Sequence, residues 1–254
     1  MIETKHIQPM SAKELVRNSF ESGKKVFLLS LLGNFLILAL FAALVLIFYS
    51  YIESLGVDNN TLYILAMFNN LIFISLTSVN IFYLLIGNQQ EVSYLNQVKN
   101  SLIKLLIALA TLIVSTLIYS ILVIFGLTIL IVPGILIFTY FGLYSQAIAF
   151  EDEGIITSIL RSRELVKGSF WKVFITLSIL NLIVNIFLFL IGGLILLAVP
   201  IDSIWIEVGI ITLTYLIIMP FVGSYYTFLY FELRSRQEAF DYSEYEKRRI
   251  EISS

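Results

Sequence analysis

The chain has 254 residues, of which 59% are hydrophobic and 13% charged, with a net charge of −2 and a mean hydropathy of +0.93. This composition lies outside that of soluble domains and leaves no room for a separate soluble domain, so residues 1–254 are expected to form one integral membrane domain. The charge balance offers no general basic field for nucleic acid, and the absence of cysteine removes disulfides, thiolate metal sites and thiol nucleophiles.

In chain order, the N-terminal stretch is polar and carries the single histidine, His6. The apolar run after it is too long for a signal-peptide core and has no small-residue cleavage site, so no cleaved leader is expected. Charges then mark the spans. No charged residue lies between Lys25 and Glu53, Asp58 and Glu91, Lys104 and Glu151, Lys172 and Asp202, or Glu207 and Glu232. Each run accommodates a helix of about 20 residues, enough for roughly 30 Å of hydrocarbon. The run 105–150 would make a straight helix of about 70 Å, over twice that thickness. It is expected to fold back as two spans, with Gly126 and Pro133-Gly134 supplying the break. The predicted fold class is all-α: a polytopic bundle of six transmembrane helices at about 26–51, 62–87, 103–125, 131–150, 173–198 and 208–231.

Orientation follows from the loops. With six spans, all 16 Lys and Arg fall in 1–25, 88–104, 151–172 and 232–254. The opposite side keeps only Glu53, Asp58, Asp202 and Glu207. The positive-inside rule places the basic side, both termini and a charged tail at 232–254 in the cytoplasm.

Three of these segments share a pattern before an odd-numbered span: Glu14–Phe20, Asn96–Leu102 and Glu164–Phe170. The shared core is Val, a base, Asn or Gly, Ser, then Phe or Leu, followed by Lys25, Lys104 or Lys172 and an apolar pair. We read three repeats of one unit, a short amphipathic helix and a two-span hairpin. In the third copy Ile155, Ile159, Val166 and Phe170 form the apolar stripe, with Arg163 at its edge. Two readings stand for these helices: connectors folded onto the bundle, or a ring that meets lipid headgroups or a partner. On the second reading the candidate interaction residues are Arg17, Lys99, Arg161, Arg163, Lys167, Arg234 and Arg236.

The spans themselves carry no clear charge, but Asn34, Asn69, Asn70, Asn80, Gln146, Asn181 and Asn185 lie within them. Interhelical hydrogen bonding is one reading of these residues. A polar membrane pocket is the other, with Asn181 and Asn185 sharing a face at i, i+4. Glu151-Asp152-Glu153 opens the next loop and reads as a helix cap or as a partner for Arg161 or Arg163; adjacent carboxylates do not by themselves converge on a metal. Tyr225, Tyr226 and Tyr230 read as an interfacial aromatic belt, and Glu232–Arg249 as a solvated helix with Glu244 and Arg248 paired. No phosphate loop, nucleophile elbow or metal-ligand motif is present. Neither enzyme activity nor a metal or cofactor is therefore expected.

Val132-Pro-Gly-Ile135, then Glu153-Gly154, Arg161-Ser162, Leu165-Val-Lys-Gly168, Phe170-Trp171 and Tyr230–Asp241 occur in order. This set resembles the bacterial multi-pass family typified by the membrane domain of glycerophosphoryl diester phosphodiesterases. The motifs cover residues 130–241. The resemblance implies a bacterial cytoplasmic membrane and a role in envelope or lipid physiology. It implies no catalytic residue, since the family's separate catalytic domain has no counterpart in this chain. Membrane lipids, and a membrane or cytoplasmic protein, are the expected partners of a non-enzymatic scaffold or accessory subunit. The alternative is a transporter or channel for a small neutral or lipid-like solute.

Overall fold

The computed structural model describes the backbone at residues 8–54, 59–87, 94–198, 204–238 and 240–253, and side chains at 8–39, 71–86, 94–191, 194, 213–238 and 240–250. All secondary structure among them is helical. The elements are α1 (Ala12–Ser54), α2 (Asn59–Gly87), α3 (Tyr94–Ile129), α4 (Ile131–Phe141), α5 (Tyr144–Glu151), α6 (Ile155–Val166), α7 (Phe170–Ala198), α8 (Ile204–Gln237) and α9 (Tyr242–Ser253). Five described helices are long and apolar enough to cross a membrane: Ala12–Ala39, Tyr94–Ile129, Ile131–Glu151, Phe170–Ile191 and Leu213–Gln237. The span expected at 62–87 has the shorter apolar helix Leu71–Ile86 at its described end. The side chains of Glu53, Asp58, Asp202 and Glu207 lie outside the described residues.

α1 begins on a capping box. The Ser11 backbone N–H and hydroxyl donate to Glu14 Oε2 at 2.8 and 2.7 Å, and the Glu14 N–H returns to Ser11 Oγ at 3.3 Å. These bonds occupy otherwise orphaned donors of the first turn. From there α1 runs unbroken into its span, and α3 does likewise. The separate amphipathic helix expected in each repeat forms only in the third copy, as α6. The break coincides with a residue that sets this copy apart. Gly168 occupies the place held by Asn18 and Asn100 in the other copies. It takes φ +87° between α6 and α7, a conformation that glycine adopts without a Cβ penalty.

The long run 105–150 turns at Leu130, which is extended (φ −154°, ψ 142°) between α3 and α4. Close helix approach makes this turn possible. A Cβ added at Gly126 would lie 2.9 Å from the Gly134 Cα, and one at Gly134 only 2.7 Å from the Leu127 backbone nitrogen. A second interruption, which the sequence did not announce, falls at Gly142-Leu143 between α4 and α5. Ser162 of α6 bridges it, accepting from the Leu143 N–H at 3.0 Å and donating to the Tyr140 carbonyl at 2.9 Å. Backbone groups freed within a span need such a partner, because no water replaces it.

The helices divide into enclosed and peripheral. α8 is central: from Val222 to Arg234 every residue but Tyr226 is buried, and α1, α2, α5, α6 and α7 all pack against it. α7 and the outer face of α3 are peripheral and present Ile107, Phe125, Leu182 and Phe189 outward. Tyr225 and Tyr230 are buried in the bundle, which corrects the aromatic-belt expectation. They point inward because their helix is surrounded.

Candidate functional site

The elements that carry the basic residues meet at one end of the bundle. Lys172, at the start of α7, donates to the Met10 carbonyl before α1 at 2.7 Å. The Gln237 side chain at the end of α8 donates to the Lys167 carbonyl between α6 and α7. Val98, in the first turns of α3, packs on Leu29 of α1 and Leu84 of α2. This basic end is built around aromatic rings. Phe231 stacks on Phe82 (centroids 5.9 Å) and Phe240 (6.0 Å), and meets Phe150 (5.2 Å) and Tyr245 (5.5 Å) edge-on. Such pairs add about 0.5–1.5 kcal/mol each beyond area burial.

Over these rings lies a charge network. Glu151 accepts from Arg161 Nε at 2.7 Å and from the Tyr230 hydroxyl. Arg161 also reaches Glu238, which accepts from Arg234 Nε at 2.9 Å. Arg234 stands 4.1 Å above the Phe240 ring centroid and 3.4 Å from Glu244. Burial alone would raise the Glu238 carboxyl, but hydrogen bonds and charges from Arg161 and Arg234 outweigh it and hold the group below its ordinary value. Burial would likewise weaken the Arg161 cation, whereas its bonds to Glu151 and Glu238 more than offset this and raise its pKa. A second pair is deeper. Glu232 is fully buried and accepts from Lys172 at 2.5 Å and Arg236 at 2.7 Å, all on Oε1, while Oε2 has no hydrogen-bond partner.

The tail is therefore not a solvated helix. Asp241 caps α9, accepting from the Ser243 hydroxyl at 2.6 Å and the Glu244 N–H at 3.0 Å, and these bonds hold its carboxyl below the ordinary value. α9 then folds back with Tyr245 buried. Glu244 meets Arg234, and Arg248 binds Asp152 and the Phe150 carbonyl.

The candidate interaction residues consequently separate into two groups. Arg161 and Arg234 are internal ties, and Arg236 is half-exposed on Glu232. Arg17, Lys99, Arg163 and Lys167 are exposed. Glu151 pairs with Arg161; the N-cap of α6 is Gly154, without a side-chain cap. Asn181 and Asn185 donate to the carbonyls of Leu177 (2.9 Å) and Asn181 (2.8 Å), so these donors serve their own helix rather than a shared pocket. Other span polar groups bond between helices: Tyr144 with Thr116 and Ser75, Gln146 with Ser78, and Asn80 with Asn34 at 2.9 Å.

Two concave regions lined by described residues open at this end. One, of about 650 Å³, lies between α4 and α6, lined by Leu136, Ile137, Tyr140 and Phe141 opposite Leu160, Arg163, Glu164 and Lys167. The other, of about 350 Å³, lies under α9 and holds charges of both signs, Glu151, Asp152 and Glu244 with Arg234, Lys247 and Arg248. Among the described residues, no group of three His, Asp or Glu side chains is placed to hold a metal. Comparison with protein-family models, with curated proteins and with solved structures finds no match to this chain.

Proposed function

We propose that the protein is a non-enzymatic scaffold or accessory subunit of a membrane, engaging a partner protein or lipid headgroups through the basic end of its bundle. In this reading six spans cross a bacterial cytoplasmic membrane, and the basic end faces the cytoplasm, the side that the positive-inside rule favours for Lys and Arg. The resemblance of residues 130–241 to the membrane domain of glycerophosphoryl diester phosphodiesterases points the same way. One observation carries the reading: the centre of the basic end is filled and cross-tied. Phe82, Phe150, Tyr230, Phe231 and Phe240 occupy its centre, and Glu151, Arg161, Arg234 and Glu238 bind one another across it. The candidate cations Arg17, Lys99, Arg163 and Lys167 remain exposed on this support.

Arg17→Glu together with Lys167→Glu tests it. The double variant inserts normally and loses its partner or lipid association; retained association rejects the reading. The alternative, passage of a small neutral or lipid-like solute, draws on one feature. Asn34 Nδ2 and Asn80 Oδ1 are buried between α1 and α2 without a hydrogen-bond partner. Solute flux or lipid scrambling by proteoliposomes, abolished by Asn80→Leu, would favour it.

A further inference from the structure

The groove between α4 and α6 is amphipathic along its length, and its outer wall explains why. Ile156, Leu160 and Arg163 follow one another at i, i+4 and i+7, so they form a single exposed stripe along α6, and the C-cap residue Lys167 is exposed just beyond its end. The stripe changes character within its 12-residue helix, from aliphatic near the start to basic at the end. Opposite it, α4 contributes Leu136, Ile137, Tyr140 and Phe141. Leu136 (40% exposed) and Leu160 (47%) leave apolar surface open on both walls.

The charges are uneven. Glu164, the acidic residue of the lining, is within 3.6 Å of Arg161 and so faces a cation already. Arg163 and Lys167 make no ion pair with any described residue, and the Tyr140 hydroxyl makes no hydrogen bond to one. The apolar wall also continues outward. Ile129, Leu130, Ile131 and Val132, at the turn into α4, are all exposed, as are Ile175, Ile179 and Leu182 on neighbouring α7. A helix surface of this kind faces acyl chains. The groove thus runs from a lipid-facing wall to two cations that pair with no described residue.

From this geometry we propose that the α4–α6 groove is a binding site for one anionic glycerophospholipid. The phosphate lies by Arg163 and Lys167, and an acyl chain lies along Leu136, Ile137, Phe141 and Leu160. Arginine and lysine at the polar end bind phosphate by charge-assisted hydrogen bonds. The volume of about 650 Å³ suits a bound small molecule or part of a lipid. The proposal rests on the reading of the basic end as an engagement surface and names its lipid.

The test is native mass spectrometry of the purified full chain, titrated with phosphatidylglycerol, phosphatidylcholine or soluble glycerol phosphate. Wild type binds one phosphatidylglycerol in preference to phosphatidylcholine. Arg163→Gln/Lys167→Gln weakens phosphatidylglycerol about 30-fold, at roughly fivefold per cation near an anionic surface, and leaves phosphatidylcholine unchanged. Lys13→Gln/Lys24→Gln, the same charge loss on exposed positions of α1, has no effect. Leu136→Trp, which adds bulk at an already exposed site, weakens the lipid by obstructing its chain. Undiminished lipid preference in Arg163→Gln/Lys167→Gln overturns the proposal. So does glycerol phosphate binding as tightly as the lipid, which would make the groove a free-anion site. The Leu136→Trp variant keeps every basic residue, so a protein partner stays bound to it whatever happens to the lipid. The broader reading therefore stands or falls separately.

Discussion

Replacing Lys172 with methionine removes one of two cations from a carboxylate that has no contact with solvent. Lys172 Nζ approaches Glu232 Oε1 at 2.5 Å and also ties the Met10 carbonyl at 2.7 Å, ahead of the first turn of α1. Breaking a buried ion pair by removing one partner costs about 3–5 kcal/mol. Arg236 remains on the same oxygen at 2.7 Å, but its side chain is 42% exposed, so it compensates only in part. Loss of the tether to Met10 adds about 1 kcal/mol. Setting the remaining Arg236 contact against the lost tether, Lys172→Met should destabilise the protein by about 2–4 kcal/mol. Glu232→Met in the same background removes the orphaned charge, leaves Arg236 to solvent and restores stability to within about 1 kcal/mol of wild type. Equilibrium unfolding in mixed micelles with increasing SDS measures both. The reasoning is refuted if Lys172→Met lies within about 0.5 kcal/mol of wild type, the range of an ordinary surface substitution. It is equally refuted if the double variant is worse than the single.

Three further outcomes follow from local geometry. Ser162→Ala orphans the Leu143 N–H and the Tyr140 carbonyl together and should cost about 1–3 kcal/mol, with faster amide exchange at residue 143 as its local mark. Gly168→Ala forces a Cβ into φ +87° at a cost of about 1–2 kcal/mol in the same unfolding assay. Gly168→Asn, which restores the residue of the other two repeats, should cost less because Asn tolerates that region better. Lastly, Glu238 has a folded-state pKa held below its ordinary 4.5, so its contribution is complete above that value and lost as pH falls through the lower folded value. Melting temperature should therefore drop on acidification below pH 4.5, and Glu238→Gln should lower the melting temperature at neutral pH and shrink that drop.

The parts of this fold that were readable from the chain are those set by composition alone. Charge-free runs located the described spans, and the length of 105–150 required a turn, which falls at Leu130 between the two glycines that permit it. The Glu151–Arg161 contact was also within reach, as an acidic cluster ten residues before a base. What was hidden depends on which helix becomes central. Once α8 is enclosed, Tyr225 and Tyr230 cannot form a belt, and Glu232 and Arg234 become buried groups rather than the beginning of a tail. The break at Gly142 was equally hidden, because the hydroxyl that bridges it comes from Ser162, twenty residues further along. The candidate cations show the same division. Arg161 and Arg163 are two residues apart and alike in sequence, yet one is used internally and the other is exposed. Only the positions of Glu151 and Glu238 decide between them.

The reading of the basic end as an engagement surface is tested most directly by site-specific photocrosslinking in native membranes. Crosslinkers at residues 17, 99 and 163 report on the exposed cations, and crosslinkers at residues 107 and 189 on the outward apolar faces of α3 and α7. Captured proteins and lipids are both identified by mass spectrometry. The account predicts a defined protein or anionic lipid enriched at the basic positions over 107 and 189, and lost at residues 99 and 163 in Arg17→Glu/Lys167→Glu. Capture that is the same at all five positions, or unchanged in the double variant, would contradict it.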